Sequence, residues 1–111
     1  MKKMIYLTAL VAAVVAGPVC AGGDPQAGKE KSAVCAGCHG EDGNSTIGAN
    51  PRLAGQYESY LLQALKRYKN GQRKDLLMGN MVAELSLQDM KDLAAWFSGQ
   101  DQNVLTVLPE D

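Results

Sequence analysis

Five consecutive residues, Cys35-Ala36-Gly37-Cys38-His39, constrain this chain more than anything else in its 111 residues. Two cysteines three positions apart, with a histidine directly after the second, form the C-x-x-C-H pattern of covalent haem attachment. The spacing has a chemical reason. Two thiols add across the two vinyl groups of haem, one short turn sets them the right distance apart, and the next residue is carried under the iron as its proximal ligand. His39 is the only histidine in the chain, so no other imidazole can take that place. Three other uses of the same residues fit less well. A thioredoxin-like redox pair needs a βαβ context, and the sequence has no alternating run of strand length. A closed zinc site needs about four ligands, and only three good ones are present. A plain disulfide accounts for neither His39 nor the glycine-rich stretch after it.

Residues 1–21 read as a cleaved secretory signal peptide. Lys2 and Lys3 precede an apolar run from Ile5 to Ala16, Gly17 and Pro18 break it, and Val19-Cys20-Ala21 offers small residues before a cut. The run is well short of the roughly 20 residues of a spanning helix. Gly17, Pro18 and Val19 also suit lipid modification of Cys20 poorly. A periplasmic domain of residues 22–111 is therefore expected, with no stable membrane insertion. It carries nine Lys and Arg against twelve Asp and Glu, a formal charge of −3, which gives no case for nucleic-acid binding. With one Phe and one Trp its core is thin, and so small a domain needs a staple. A bound haem, large and apolar, would be one.

The helical signals give an all-α class. Asp24 is a good N-cap with Pro25 at the first helical position, starting a helix through Ala27, Lys31 and Val34 towards Cys35. From Gly37 to Gly55 the chain holds five glycines, Asn44, Asn50 and Pro51, and reads as one long loop. A loop of this length in a small domain makes sense if it wraps something. A second helix spans roughly Tyr57 to Asn70, with Tyr57, Leu61, Leu65 and Tyr68 on one stripe and Asn70-Gly71 ending it. A third runs from about Leu87 to Ser98. Ser86 and Asp89 cap its start, Leu87, Met90, Leu93, Ala94 and Phe97 form its apolar face, and Gly99 stops it. Met90 is most simply core filler on that face. Met78 and Met81 lie between the second and third helices, and either could cross the haem as a sixth ligand.

Three stretches carry a family resemblance: Cys35-Ala-Gly-Cys-His-Gly-Glu-Asp-Gly-Asn, Asn50-Pro-Arg-Leu-Ala-Gly-Gln, and Leu85-Ser-Leu-Gln-Asp-Met-Lys-Asp-Leu-Ala-Ala-Trp-Phe. Together they resemble class I c-type cytochromes, closest to small bacterial periplasmic members and to each half of tandem dihaem cytochromes. The resemblance implies three main helices and a glycine-rich loop around one covalently attached haem c. It implies that Pro51 offers its carbonyl to the proximal imidazole, a contact that orients an iron ligand. Counted back from Leu85-Ser86, Met78 takes the place of the axial methionine and Met81 that of a packing residue, with Leu76 and Leu77 anchoring the segment. Ala27 and Gly28 are expected to cross Trp96 and Phe97, where the family has a Tyr or Phe at the Trp96 position. Arg52 and Gln56 are candidates for contacts near the haem edge.

The expected function is single-electron transfer, with no enzymatic activity, to redox partners such as membrane respiratory complexes or periplasmic oxidoreductases. Two alternatives stand beside it: a haem subunit of a larger redox complex, and a haem enzyme or gas sensor with an open sixth position. The well-placed methionines and the lack of a distal histidine favour the carrier.

Overall fold

In the computed structural model, residues 22–102 are described, and they form five helices with no strand among them. The expected signal peptide lies outside the described residues. The first helix, α1 (Pro25–Lys31), begins as its sequence dictates. The Asp24 carboxylate accepts from the backbone N–H groups of Gln26 and Ala27 at 2.9 and 3.4 Å, and Pro25 occupies the first turn. It does not run unbroken to Cys35. At Ser32 the hydroxyl donates to the Lys29 carbonyl at 2.7 Å and the N–H is shared between Gly28 and Lys29 carbonyls, which tightens the turn. A second helix, α2 (Ala33–His39), then carries the whole C-x-x-C-H motif. Gly37 to His39 are therefore helical, and the loop starts at Gly40, three residues later than expected. Gly40 ends α2 with φ +85°, a conformation few other residues adopt at low cost.

The remaining helices are α3 (Glu58–Asn70), α4 (Leu76–Val82) and α5 (Leu87–Ser98). Tyr57 is the N-cap of α3 and largely exposed rather than part of the buried stripe. Leu61 is buried, Leu65 and Tyr68 are half-buried, and Gly71 closes the helix in the left-handed region. The methionine segment is a helix and not a loop: Asp75 accepts from the Met78 N–H at 2.8 Å, a side-chain cap that starts α4. The expected capping box of α5 is present in full between Ser86 and Asp89.

Leu61, Leu93, Ala94 and Phe97 form the core, with α1 and α3 both packed on α5. Gly28 makes the first of these contacts possible, since a Cβ there would lie 1.9 Å from the Asp92 carbonyl oxygen. Its neighbours are thus Asp92 and Trp96. Phe97 faces the loop instead, against Gly43. The α1–α5 crossing is fastened by charge. Asp92, 3% exposed, accepts from Lys31 Nζ at 2.6 Å, the Asp24 N–H at 2.8 Å and Gln88 Nε2 at 2.8 Å, while Asp89 takes Lys31 at 2.8 Å.

Candidate functional site

α2, α3, α4, α5 and the segment 49–56 surround a single cleft of about 430 Å³. Cys35, Cys38 and His39 reach it from α2, and Met78, Met81 and Val82 from α4. Its walls are mostly apolar, built from Leu53, Leu61, Leu65, Leu85, Leu93 and Phe97. Arg52, Gln56, Tyr60, Tyr68 and Arg73 add polar groups. The helical conformation of α2 explains the arrangement of the motif: positions i and i+3 lie on one helix face, so both thiols look the same way.

The loop holds this geometry by bonding to its own flanks. Gly43, at φ +82°, accepts from the N–H groups of Leu53 and Ala54, and a Cβ on it would strike both Ala54 N and the Phe97 ring at 2.8 Å. The Gly55 N–H reaches the Phe97 carbonyl at 3.0 Å. The Cys38 carbonyl accepts from Asn50 Nδ2 at 3.0 Å and from the buried Ser45 hydroxyl at 3.4 Å. This brings Pro51 beside His39, whose Nδ1 lies 2.8 Å from the Pro51 carbonyl oxygen. A carbonyl can only accept, so Nδ1 donates to it, and Nε2 is the ring nitrogen left to bind a metal.

Cys35 and Cys38 are both unpaired thiols, and burial, with Cys38 adding a smaller effect, pushes the Cys35 thiol above its ordinary value. Among the described residues no three His, Cys, Asp or Glu side chains converge on one point, so these residues do not form a closed cage of the zinc kind. A planar apolar group with two thiol attachment points, an imidazole and a thioether to bind it does fit these walls and donors. The residues able to hold a haem are Cys35 and Cys38 through carbon–sulfur bonds, His39 through Nε2, and Met78 or Met81 through sulfur.

The methionines stand differently. Met78 is half-buried and Met81 is 43% exposed, and both line the cleft. Leu76 and Leu77, at 85% and 53% exposed, do not anchor the segment. That role falls to Val82, 1% exposed, and to the Asp75 cap. Lys69 helps from outside: its ammonium donates to the carbonyls of Ala83 and Leu85, tying the end of α3 to the α4–α5 turn. No pattern in the sequence announces that contact. Among the described residues, no helix is long and apolar enough to cross a membrane.

The family model described as Cytochrome c matches residues 25–100. A cytochrome c4 of Pseudomonas aeruginosa is 48% identical over 84 residues, covering 76% of this chain and 42% of the relative. Cytochrome c-554(548) of Halomonas halodenitrificans is 42% identical over 82 residues, 71% of this chain and 99% of the relative. The crystal structure of reduced recombinant cytochrome c4 from Pseudomonas stutzeri matches with a TM-score of 0.71 and 47% identity, over 74% of this chain and 48% of that one. The chain spans about half the length of the cytochrome c4 relatives it matches.

Proposed function

We propose, from the premise that the chain belongs to the cytochrome c family and binds a covalently attached haem c, that it is an exported carrier of single electrons and not an enzyme. The observation that carries this reading is the cleft itself, where two thiols, an oriented imidazole and a thioether line one apolar space. When bound, haem supplies a one-electron iron couple. The protein's part is to hold, tune and shield it. Cys35 and Cys38 fix the group covalently. His39 binds through Nε2 while its Nδ1–H donates to Pro51, which orients the ring and raises its basicity. Met78 would supply the thioether ligand; of the two cleft methionines it is the more buried, and its N–H is held by the Asp75 cap. Leu61, Leu65, Leu93 and Phe97 keep water from the buried face, and thioether ligation with burial favours a higher potential than a second imidazole would give. Arg52 and Gln56 serve the polar edge of the group.

Were His39 and Met78 both to bind an iron held here, no position would be left for substrate, which would separate a carrier from a haem enzyme or gas sensor. Export to the periplasm rests on residues 1–21, and the partners are redox proteins. The absorption spectrum of the purified oxidised protein tests the reading. A weak band at the red end of the visible, reversible one-electron reduction and no binding of carbon monoxide by the reduced form support it. Ready binding of carbon monoxide, with that band missing, would overturn it.

A further inference from the structure

Asn70 and Gly71 stand where α3 stops, and they are the only Asn-Gly pair in the chain. In such a pair the glycine amide nitrogen can close a five-membered ring on the asparagine side-chain carbonyl, with no Cβ to obstruct the approach. A helix normally prevents this, because each N–H is bonded to a carbonyl one turn back. At the ends of α1, α2, α4 and α5 the capping residue still donates its N–H to a carbonyl before it. Gly71 makes no such return bond. The carbonyl it would meet in a continuing helix, that of Arg67, accepts from the Arg73 N–H at 3.1 Å instead.

The surroundings are open. Asn70 and Gly71 are both exposed, and a Cβ on Gly71 would meet no atom within 4 Å. The Asn70 amide is also held in place: its Oδ1 accepts from the Gln72 N–H at 2.9 Å, and its Nδ2 donates to Gln72 Oε1 at 3.2 Å. A donor on Oδ1 draws charge from Cγ and stabilises the oxyanion that forms when that carbon is attacked. Other positions among the described residues lack this combination. Asp42 also precedes a glycine, but the Gly43 N–H donates to the Gly40 carbonyl at 3.1 Å, and Gly43 is packed against Ala54 and Phe97. Asn50 precedes Pro51, which has no N–H. Asn80 lies within α4, and Asn44 precedes the buried Ser45.

We propose that Asn70 is a site of spontaneous deamidation, which writes a negative charge into the connection between α3 and α4. The Gly71 nitrogen bonds to Asn70 Cγ, the Cγ–Nδ2 bond breaks, and Nδ2 leaves as ammonia with the proton from the Gly71 N–H. Water then opens the ring at either carbonyl, giving aspartate or isoaspartate, and nothing is oxidised or reduced. The formal charge over residues 22–111 passes from −3 to −4. The new carboxylate stands at the negative end of the α3 dipole, among the carbonyls least suited to it. In the isoaspartate product the main chain also gains a carbon, just ahead of the Asp75 cap that starts α4.

Ageing the purified holoprotein at neutral pH tests this, with peptides followed by mass spectrometry and isoaspartate labelled by protein isoaspartyl methyltransferase. Asn70 should convert at least about tenfold faster than Asn44, Asn50 or Asn80, which corresponds to a barrier lower by roughly 1.4 kcal/mol. Gly71→Ala should slow the conversion by a similar factor and leave the haem spectrum unchanged. Alanine is strained at the φ of +81° found there, so Asn70→Gln serves as a second variant. Its longer side chain cannot close the five-membered ring, and the methyltransferase label should disappear from this segment. Asn70→Asp should elute with the aspartate product on anion exchange and unfold at a lower urea concentration than the unaltered holoprotein. An Asn70 that stays intact, or converts no faster than the other asparagines, overturns the proposal. So does conversion that Gly71→Ala leaves at its original rate, or a label that persists in Asn70→Gln.

Discussion

The carbonyl oxygen of Pro51 stands 2.8 Å from Nδ1 of His39, across twelve residues of chain. One backbone atom thereby decides which nitrogen of the only histidine is available to iron. The proline ring limits φ at residue 51 and so limits where its carbonyl points. Pro51→Gly should loosen this contact without deleting it. The His39 Nδ1–H of the holoprotein is then expected to exchange with solvent about tenfold faster, as for a bond weakened by about 1.4 kcal/mol. Proton NMR of the reduced form reads the change. An unaltered exchange rate would mean that the loop, and not the proline, positions the carbonyl.

The two cleft methionines are separable by substitution. Met78→Ala should abolish the red-end absorption band, lower the potential and admit carbon monoxide to the reduced iron. Met81→Ala leaves the Met78 thioether in the cleft, so it should keep the band. Loss of the band with Met81→Ala and its survival with Met78→Ala would assign the ligand to Met81.

Acid should loosen the crossing of α1 and α5. The Lys31 ammonium, with help from the Ser86 cap, holds Asp89 down to about 2. For Asp92, burial acts upward but is outweighed by the hydrogen bonds from Lys31, the Asp24 N–H and Gln88, so its carboxyl also lies below the usual range. Carboxylates held low in the folded state stabilise it fully above their unfolded value of 3.8, and that contribution disappears as pH falls towards 2. Lys31 is raised by its bonds to Asp89 and Asp92, so its share is lost only above 10.5. Urea unfolding of the holoprotein should therefore show stability falling between about pH 4 and about pH 2, and Asp89→Asn should flatten that fall. At neutral pH, Asp92→Asn should cost about 2–3 kcal/mol, because a buried carboxylate with three donors is replaced by a neutral amide.

Gly28→Ala tests the closeness of the same crossing. The added methyl would meet backbone atoms of Asp92 at 1.9 and 2.5 Å, which cannot rotate away as a side chain could. The expected loss is about 3 kcal/mol, larger than the roughly 1 kcal/mol that alanine gains over glycine within a helix. Urea midpoints of the two holoproteins measure it, with the haem spectrum unchanged. Equal midpoints would mean that α1 can move off α5 at little cost.

Much of this architecture was readable from residues whose roles are local. Asp24-Pro25, Asn70-Gly71 and the Ser86–Asp89 box each satisfy helix-end groups within a few positions, so their sequence is their structure. The motif at Cys35–His39 is equally local, because its spacing is set by the chemistry of the group it suits. What escaped depends on partners distant in sequence. Gly37 looks like loop but sits in α2, where the turn begun by Ser32 continues through it. Leu76 is apolar yet faces solvent, since the cap at Asp75 and the burial of Val82 orient α4 the other way. The role of Lys69 at the Ala83 and Leu85 carbonyls is invisible to any periodicity. Asp92, on the helix with the clearest apolar face, is as buried as its hydrophobic neighbours only because Lys31, Asp24 and Gln88 converge on it.

The bond from the Asp24 N–H to Asp92 spans 68 positions of the chain. During synthesis, α1 and the attachment motif emerge before α5 exists to receive them. The thiols need only their own short helix to be correctly spaced, whereas the cleft cannot close until α5 arrives. Thiol spacing can thus be set before the cleft exists, while closure of the α1–α5 contact, which joins distant parts of the chain, must await α5.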